Sequence, residues 1–215
     1  QFTVLLAKSS SLLLLDCRTR EYKHIPFPET LDLLIMHCGI KRELAASEYN
    51  TRVDQCSRAA KILQKVDSRI SSLRDASEET LHKARGIMPE ILYRRARHVI
   101  RENARVVQGA EFLSSGRADL FGKLMFESHR SLREDYEVSI PELDLLVETG
   151  KETEGVLGAK LSGAGFGGAV VFIVETPLSR EAARRIERKY KQHAGFKPLS
   201  LLCRPCDAAE IRELV

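Results

Sequence analysis

The chain has 215 residues, with 34 Lys and Arg against 30 Asp and Glu, a net charge of +4, 43% hydrophobic residues and five cysteines. That balance is too apolar and too weakly charged for a disordered chain, and it allows a sizeable core. No run approaches the ~18 consecutive apolar residues of a membrane-spanning helix, and no secretory signal peptide is read. A sequence pI near 8.8 raises the question of a polyanion partner, but acids and bases are interspersed, so a mixed solvated surface is expected, with no nucleic-acid and no membrane partner. Cys17, Cys38 and Cys56 stand far apart and Cys203–x–x–Cys206 has no second pair to complete a metal site. Reduced thiols in a cytoplasmic protein are the expectation, with no metal ligands in the chain.

In chain order, Leu12 to Cys17 and Tyr22 to Phe27 are short apolar runs set off by a Ser cluster and by Pro26 and Pro28. They predict a hairpin or a pair of edge strands. Leu31 to Cys38 predicts a strand stopped by Gly39. From Ser47 to Val66 the positions Tyr49, Val53, Cys56, Ala60 and Leu63 recur at helical spacing, with Ser47 as N-cap. Asp67 to Ala76 is polar, and Ser77 to Ala84 carries a weak helical signal. After Pro89, Leu92, Ala96, Val99 and Val106 define one helix face and Arg94, Arg97, Arg101 and Arg105 another, the latter expected to be solvated because no aromatic platform accompanies it. Arg117 to His129 predicts another helix. Ser139–Ile–Pro–Glu142 predicts a capping box opening a helix that buries Leu143, Leu146 and Val147.

Lys160 to Gly168 then leads directly into Ala169–Val–Val–Phe–Ile–Val174, a buried strand. Four glycines between 163 and 168 allow positive φ and close backbone approach, and their amides can form an anion-binding nest. A tight connection is the plainer reading, since the run precedes a strand and not the helix that phosphate-binding fingerprints require. Ser179 to His193 predicts an amphipathic helix burying Ala183, Ile186 and Tyr190, and Leu199 to Cys203 a last strand. The sum is an α+β protein with helices on one face of a mainly antiparallel sheet.

Five segments together resemble one family. Leu13–Leu–Leu–Asp–Cys–Arg18, Lys41 through Asn50, Arg95 through Asn103, Ser128 through Ser139 with Pro141–Glu–Leu–Asp144, and Ser162 through Gly168 are similar, in this order, to the C-terminal part of the galactokinases, a branch of the GHMP sugar and metabolite kinases. The resemblance implies a GHMP-kinase C-terminal domain with a ferredoxin-like sheet over residues 29–215. Residues 1–28 would be a remnant strand pair of the N-terminal kinase domain. It implies transfer of the ATP γ-phosphoryl to the anomeric hydroxyl of galactose, with Mg2+ on the phosphates. The family's catalytic aspartate would lie just before Gln1, outside this chain, so the fragment alone is expected to be inactive and its missing partner is the N-terminal domain.

By the same resemblance Tyr49 would contact the sugar, although spacing alone makes it a core residue of the helix stripe. Lys41 would neighbour the catalytic carboxylate, and Ser162, Gly163, Ala164, Gly165, Phe166, Gly167 and Gly168 would floor the ATP site. His129, Arg133 and Asp135 are expected to form a structural network between two helices. His37–Cys38–Gly39 and Ala169 depart from the family pattern, which leaves the sugar open: kinases of N-acetylgalactosamine or arabinose, and non-catalytic sugar sensors, share the architecture. A stand-alone nucleic-acid module is the more remote alternative.

Overall fold

The computed structural model describes residues 2–40 and 45–210. A short helix α1 (Phe2–Leu6) precedes strands β1 (Ser11–Leu15), β2 (Tyr22–Pro26) and β3 (Leu31–His37). Helices α2 (Ala45–Val66), α3 (Glu78–Lys83), α4 (Glu90–Ser114) and α5 (Ala118–Ser131) follow, and a π-helical turn (Leu132–Tyr136) leads to α6 (Pro141–Lys151). The chain ends in β4 (Val156–Ser162), β5 (Ala169–Glu175), α7 (Ser179–Ala194) and β6 (Leu199–Cys203).

The main sheet is four-stranded and antiparallel in the order β4-β5-β3-β6. The run Val170–Val–Phe–Ile–Val174 supplies β-branched and aromatic side chains that suit a central, doubly covered strand. Leu34, Met36, Val170, Phe172 and Val174 form one face, on which α6 and α7 lay Leu143, Leu146, Val147, Ala182, Ile186 and Tyr190, all buried. The opposite face carries Leu33, Ile35, Val171 and Ile173, with Ile35 paired across the ladders to Val171 and Leu201. It is only partly covered by Phe27, Phe121 and Met125, and Leu199 and Leu201 remain 77% and 58% exposed.

Helix α5 closes the β4 edge. It approaches closely because Gly122 and Gly158 face each other without side chains: a Cβ at Gly122 would collide with the Leu157 carbonyl, and one at Gly158 with the Gly122 backbone. Strand β4 gave no separate signal in the sequence, since Gly158 and Lys160 dilute its apolar pattern. A second core between α2, α3 and α4 gathers Ala59, Leu63, Leu81, Leu92, Ala96 and Ile100.

Several expectations need correction. Helix α2 begins at Ala45, so Ser47 lies inside it and is not its N-cap. Its inward stripe runs through Arg52, the half-buried Cys56, Ala59 and Leu63, and Tyr49 and Val53 are exposed; the apolar spacing is shifted because a charged residue occupies an inward position. Val106 of α4 is also exposed, and α7 buries Ala182 more deeply than Ala183. At α6 the N-cap is Ile140, with Pro141 in the first turn and no side-chain cap. Proline holds its predecessor extended, and the Ser139 hydroxyl donates instead to Asp144 Oδ1 at 2.5 Å, so the Ser139–Glu142 capping box does not form.

Strands β1 and β2 pair with each other in a separate two-stranded sheet. The C-terminal residues fasten this region: the Ala209 amide donates to the Val4 carbonyl at 2.8 Å, the Ala208 amide to Ala7 at 3.0 Å, and Ser9 donates to Asp207. Among the described residues no helix is long and apolar enough to cross a membrane.

The glycine contact between α5 and β4 gives a direct test. Gly122→Ala is expected to destabilise the chain by about 3 kcal/mol through overpacking against backbone that cannot move aside. A lowered urea midpoint with an unchanged m-value would show it.

Candidate functional site

The site grows from the β4–β5 hairpin, whose connection is the glycine run. Gly163, Gly165, Gly167 and Gly168 all have positive φ, and so does Phe166, at 58°. For a residue with a Cβ that conformation costs about 1 kcal/mol or more, and the surroundings hold it. The Phe166 amide donates to the Val138 carbonyl at 2.7 Å, and the ring packs against the main core. Gly165 makes this approach possible, because a Cβ there would collide with the same carbonyl. At the other end the Cys38 amide donates to the Gly168 carbonyl at 2.8 Å, tying the loop to the exit of β3. Ser162, Gly163 and Ala164 face solvent at the tip.

Val138 belongs to the segment that follows α5, which two arginines from other helices lock in place. Arg52 of α2 donates from Nε to the Tyr136 carbonyl and from Nη2 to the Glu137 carbonyl, each at 2.7 Å, and its guanidinium lies 5.8 Å from the Phe166 ring centre. Burial pushes the Arg52 pKa down, with the Arg95 charge adding to it. Arg95 of α4 is 1% exposed. It donates to Gln55 Oε1 at 2.9 Å, to the Asp135 carbonyl, and to Glu137 Oε2 at 2.5 Å. Burial would raise the Glu137 carboxyl, but its bonds to Arg95 and Arg94 hold it below the ordinary value.

The arginine stripe of α4 is therefore not a solvated face. Arg94 pairs with Glu137, Arg97 with Asp135 and Arg105 with Glu102 at 2.8 Å, most of them half-buried or deeper; only the Arg101–Glu78 pair is exposed on both sides. Sequence reasoning missed this because three of the four acids lie outside the helix, Glu137 and Asp135 about forty residues further on and Glu78 23 residues before Arg101.

Lys160 of β4 and Glu102 of α4 meet at 2.8 Å beside the loop. Burial would raise the Glu102 carboxyl, yet the Lys160 charge and its bond, with bonds from Ser128 and Arg105, take it down to about 2. His98 stacks on Tyr136 at 4.5 Å between ring centres, and its Nδ1 is 2.9 Å from Ser131 Oγ. Burial pushes its pKa down to about 4, so it is neutral near pH 7. His98, Glu102 and Lys160, with Leu12, Leu33 and Ser162, line a cleft of about 680 Å3 on the less covered face of the sheet.

His129, Arg133 and Asp135 each bond to neighbouring elements. His129 Nδ1 accepts the Leu161 amide at 3.3 Å while its Nε2 faces Asp144 at 3.1 Å, so one side chain links α5, α6 and the otherwise open edge of β4. Arg133 reaches Glu148 of α6 at 3.4 Å, and Asp135 receives Arg97 and the Ser131 hydroxyl. Tyr49 stands exposed in the first turns of α2, the helix whose Arg52 touches the loop. Lys41 lies outside the described residues. Among those described, no group of three or more His, Cys, Asp or Glu side chains is placed to hold a metal ion.

Known proteins are similar to this chain in sequence and fold. Residues 110–193 match the family profile described as GHMP kinases C terminal. The galactokinase of Roseiflexus sp. (strain RS-1) is 39% identical over 207 residues, 96% of this chain and 53% of that protein. The galactokinase of Homo sapiens is 42% identical over 197 residues, 91% of this chain and 49% of that protein. The chain thus spans about half the length of these relatives. The crystal structure of Lactococcus lactis galactokinase complexed with galactose superposes with a TM-score of 0.90 at 31% identity, over 96% of this chain and 54% of that one. L. major mevalonate kinase shares the fold, with a TM-score of 0.55 at 24% identity over 93% of this chain and 50% of that one.

Two measurements probe this junction. Between pH 6.5, the ordinary value, and about 4 the unfolded chain takes up a proton at His98 that the folded chain refuses. Stability is therefore lost as pH falls, by about 2 kcal/mol at pH 5. Urea unfolding at pH 7 and pH 5 should show this slope, and His98→Gln should flatten it. Arg95→Met, which removes the donor to the Asp135 carbonyl and to Gln55 and leaves Glu137 to Arg94 alone, is expected to cost about 2 kcal/mol in the same assay, with Arg95→Lys recovering little because it lacks the guanidinium fork.

Proposed function

We propose that this chain is the C-terminal part of a GHMP-family kinase of the galactokinase type and supplies one wall of a galactokinase active site. In the complete enzyme the ATP γ-phosphoryl passes to the anomeric hydroxyl of galactose. The observation that carries this reading is the superposition on a galactose-bound galactokinase over nearly the whole chain. The convergence of α2 and the 128–139 segment on the glycine loop supports it.

Each residue has a chemical task in this reading. The exposed Tyr49 phenol offers a directional hydrogen bond to a sugar hydroxyl. The loop from Ser162 to Gly168 is held with its tip toward solvent, and its amides and the Ser162 hydroxyl line the floor of the ATP site. Its rigidity matters because phosphoryl transfer depends on positioning more than on covalent chemistry. Lys41 is assigned, from the resemblance alone, beside the carboxylate that takes the hydroxyl proton. That carboxylate and the phosphate-cradling loop belong to the N-terminal domain, which we assign as the partner. Mg2+ enters on the ATP phosphates, and no step is assigned to metal ligands of this chain.

Residues 1–28 then belong to the N-terminal domain and 29–215 to the C-terminal one. The separate β1–β2 sheet supports that boundary, and the contacts from residues 205–209 back to residues 4–10 tie the two together. A cytoplasmic location goes with the same reading.

The 215-residue chain alone is expected to show no ATP-dependent phosphorylation of galactose, with the Homo sapiens galactokinase as positive control; turnover by the chain alone would overturn the inactivity. Fusion to the N-terminal half of the Roseiflexus galactokinase should produce galactose phosphorylation. In that fusion Tyr49→Phe should lower kcat/KM by up to about tenfold, the worth of one neutral hydrogen bond. A folded fusion that phosphorylates another sugar and not galactose would refute the substrate assignment.

A further inference from the structure

The face of α7 turned away from the core is charged in an unbalanced way. Ala182, Ile186 and Tyr190 face inward and are buried. Arg180, Arg184, Arg188 and Lys191 recur along the outer side, over about 16 Å of helix axis at a rise of ~1.5 Å per residue. The helix ends at Gly195, whose left-handed conformation (φ 81°) caps it onto the Lys191 carbonyl and turns the chain back on itself. That turn brings Lys197 beside Arg184, Arg188 and Lys191, and the four cations line one concavity of about 490 Å3 together with Gln192 and Glu187.

Among the described residues none of these four cations has an ion-pair partner, whereas the neighbouring Lys189 pairs with Glu152 at 2.7 Å. The single acid in the concavity, Glu187, already accepts the Ser200 hydroxyl. The α4 arginines, by contrast, meet Glu137, Asp135, Glu78 and Glu102. Like charges at i, i+4 repel on a helix surface, so an arrangement that keeps them unpaired around a hollow favours an anionic ligand. Among the described residues the lining of the hollow contains no aromatic ring and Phe196, 39% exposed beside it, is engaged elsewhere, which favours a compact ligand over a stacked nucleic-acid strand. Tyr190 is buried, and Phe196 packs edge-on against it at 5.8 Å and against Gly39.

We propose that the α7 concavity binds a multiply charged phosphate compound, such as a short polyphosphate or a phosphorylated metabolite, at a site separate from the cleft. α7 packs on the Leu34–Met36–Phe172 face, and the cleft lies on the Leu33–Val171–Ile173 face, so one ion cannot serve both. The two are nevertheless mechanically close. Lys197 follows Phe196, whose ring lies against Gly39, at the end of the strand that Cys38 ties to the glycine loop.

The test is calorimetric titration of the 215-residue chain with tripolyphosphate in 0.15 M NaCl, with sulfate at matched ionic strength as comparison. Binding of one equivalent, at least tenfold tighter than sulfate, is expected. The R184E/R188E variant should weaken it by about 100-fold, roughly tenfold for each charge-assisted contact, and K191Q/K197Q by about tenfold or more. All four side chains are exposed, so thermal melts matching the parent chain are expected; should one variant fail to fold, the other decides. Unchanged affinity in the folded variants, sulfate binding as tightly as tripolyphosphate, or a single-stranded oligonucleotide binding more than tenfold tighter than tripolyphosphate would each overturn the proposal.

Discussion

The hydrogen bond from the Phe166 amide to the Val138 carbonyl is the contact on which the site depends. It exists because Gly165 has no side chain to keep that carbonyl away, and it forces Phe166 into a left-handed conformation that an isolated chain would seldom adopt. With the Cys38–Gly168 bond it fixes a loop of glycines that would otherwise sample many conformations. The conformational entropy lost there is offset by packing of the Phe166 ring on the core and by Arg52 above it.

That contact is only as firm as the segment offering Val138. Residues 132–139 leave α5 through a π-helical turn, and Glu137 itself is left-handed at φ 55°. Their carbonyls would be poorly satisfied without Arg52 and Arg95, which donate to Asp135, Tyr136 and Glu137 from helices remote in sequence. Burying a guanidinium is costly unless its donors are used. Arg95 spends its donors on a side-chain amide, a carbonyl and a carboxylate. Such a cluster adds little net stability compared with apolar packing, but it admits few alternative arrangements, which suits a segment that must present one carbonyl in one place.

The sheet divides the molecule into two chemical environments. One face is closed by α6 and α7 and holds the continuous core. The other is apolar along Ile35, Val171 and Leu201 but open, and it carries the cleft with His98, Glu102 and Lys160 at its margin. His98 stays neutral and Glu102 ionised in similar burial because the Lys160 and Arg105 charges favour a carboxylate and disfavour a further cation.

The amino-acid sequence by itself determined most elements. Periodicity and β-branched runs located β3, β5, α4, α6 and α7, the glycines between 163 and 168 marked the loop, and the five segments carried the family resemblance. These signals are local, set by side-chain spacing and backbone freedom within a few residues. What only the tertiary structure decided is non-local. Strand β4, weakened by Gly158 and Lys160, forms because β5 and α5 flank it. Arg52 turns inward and Tyr49 outward because Tyr136 and Glu137 offer carbonyls to a guanidinium. Among the described residues the α4 arginines are ion-paired while the four cations at the α7 hollow are not, since Glu137, Asp135 and Glu78 reach the first set from other elements and no acid pairs with a cation at the hollow. Spacing along a helix cannot distinguish the two stripes, because charge is compensated by what the fold places opposite it.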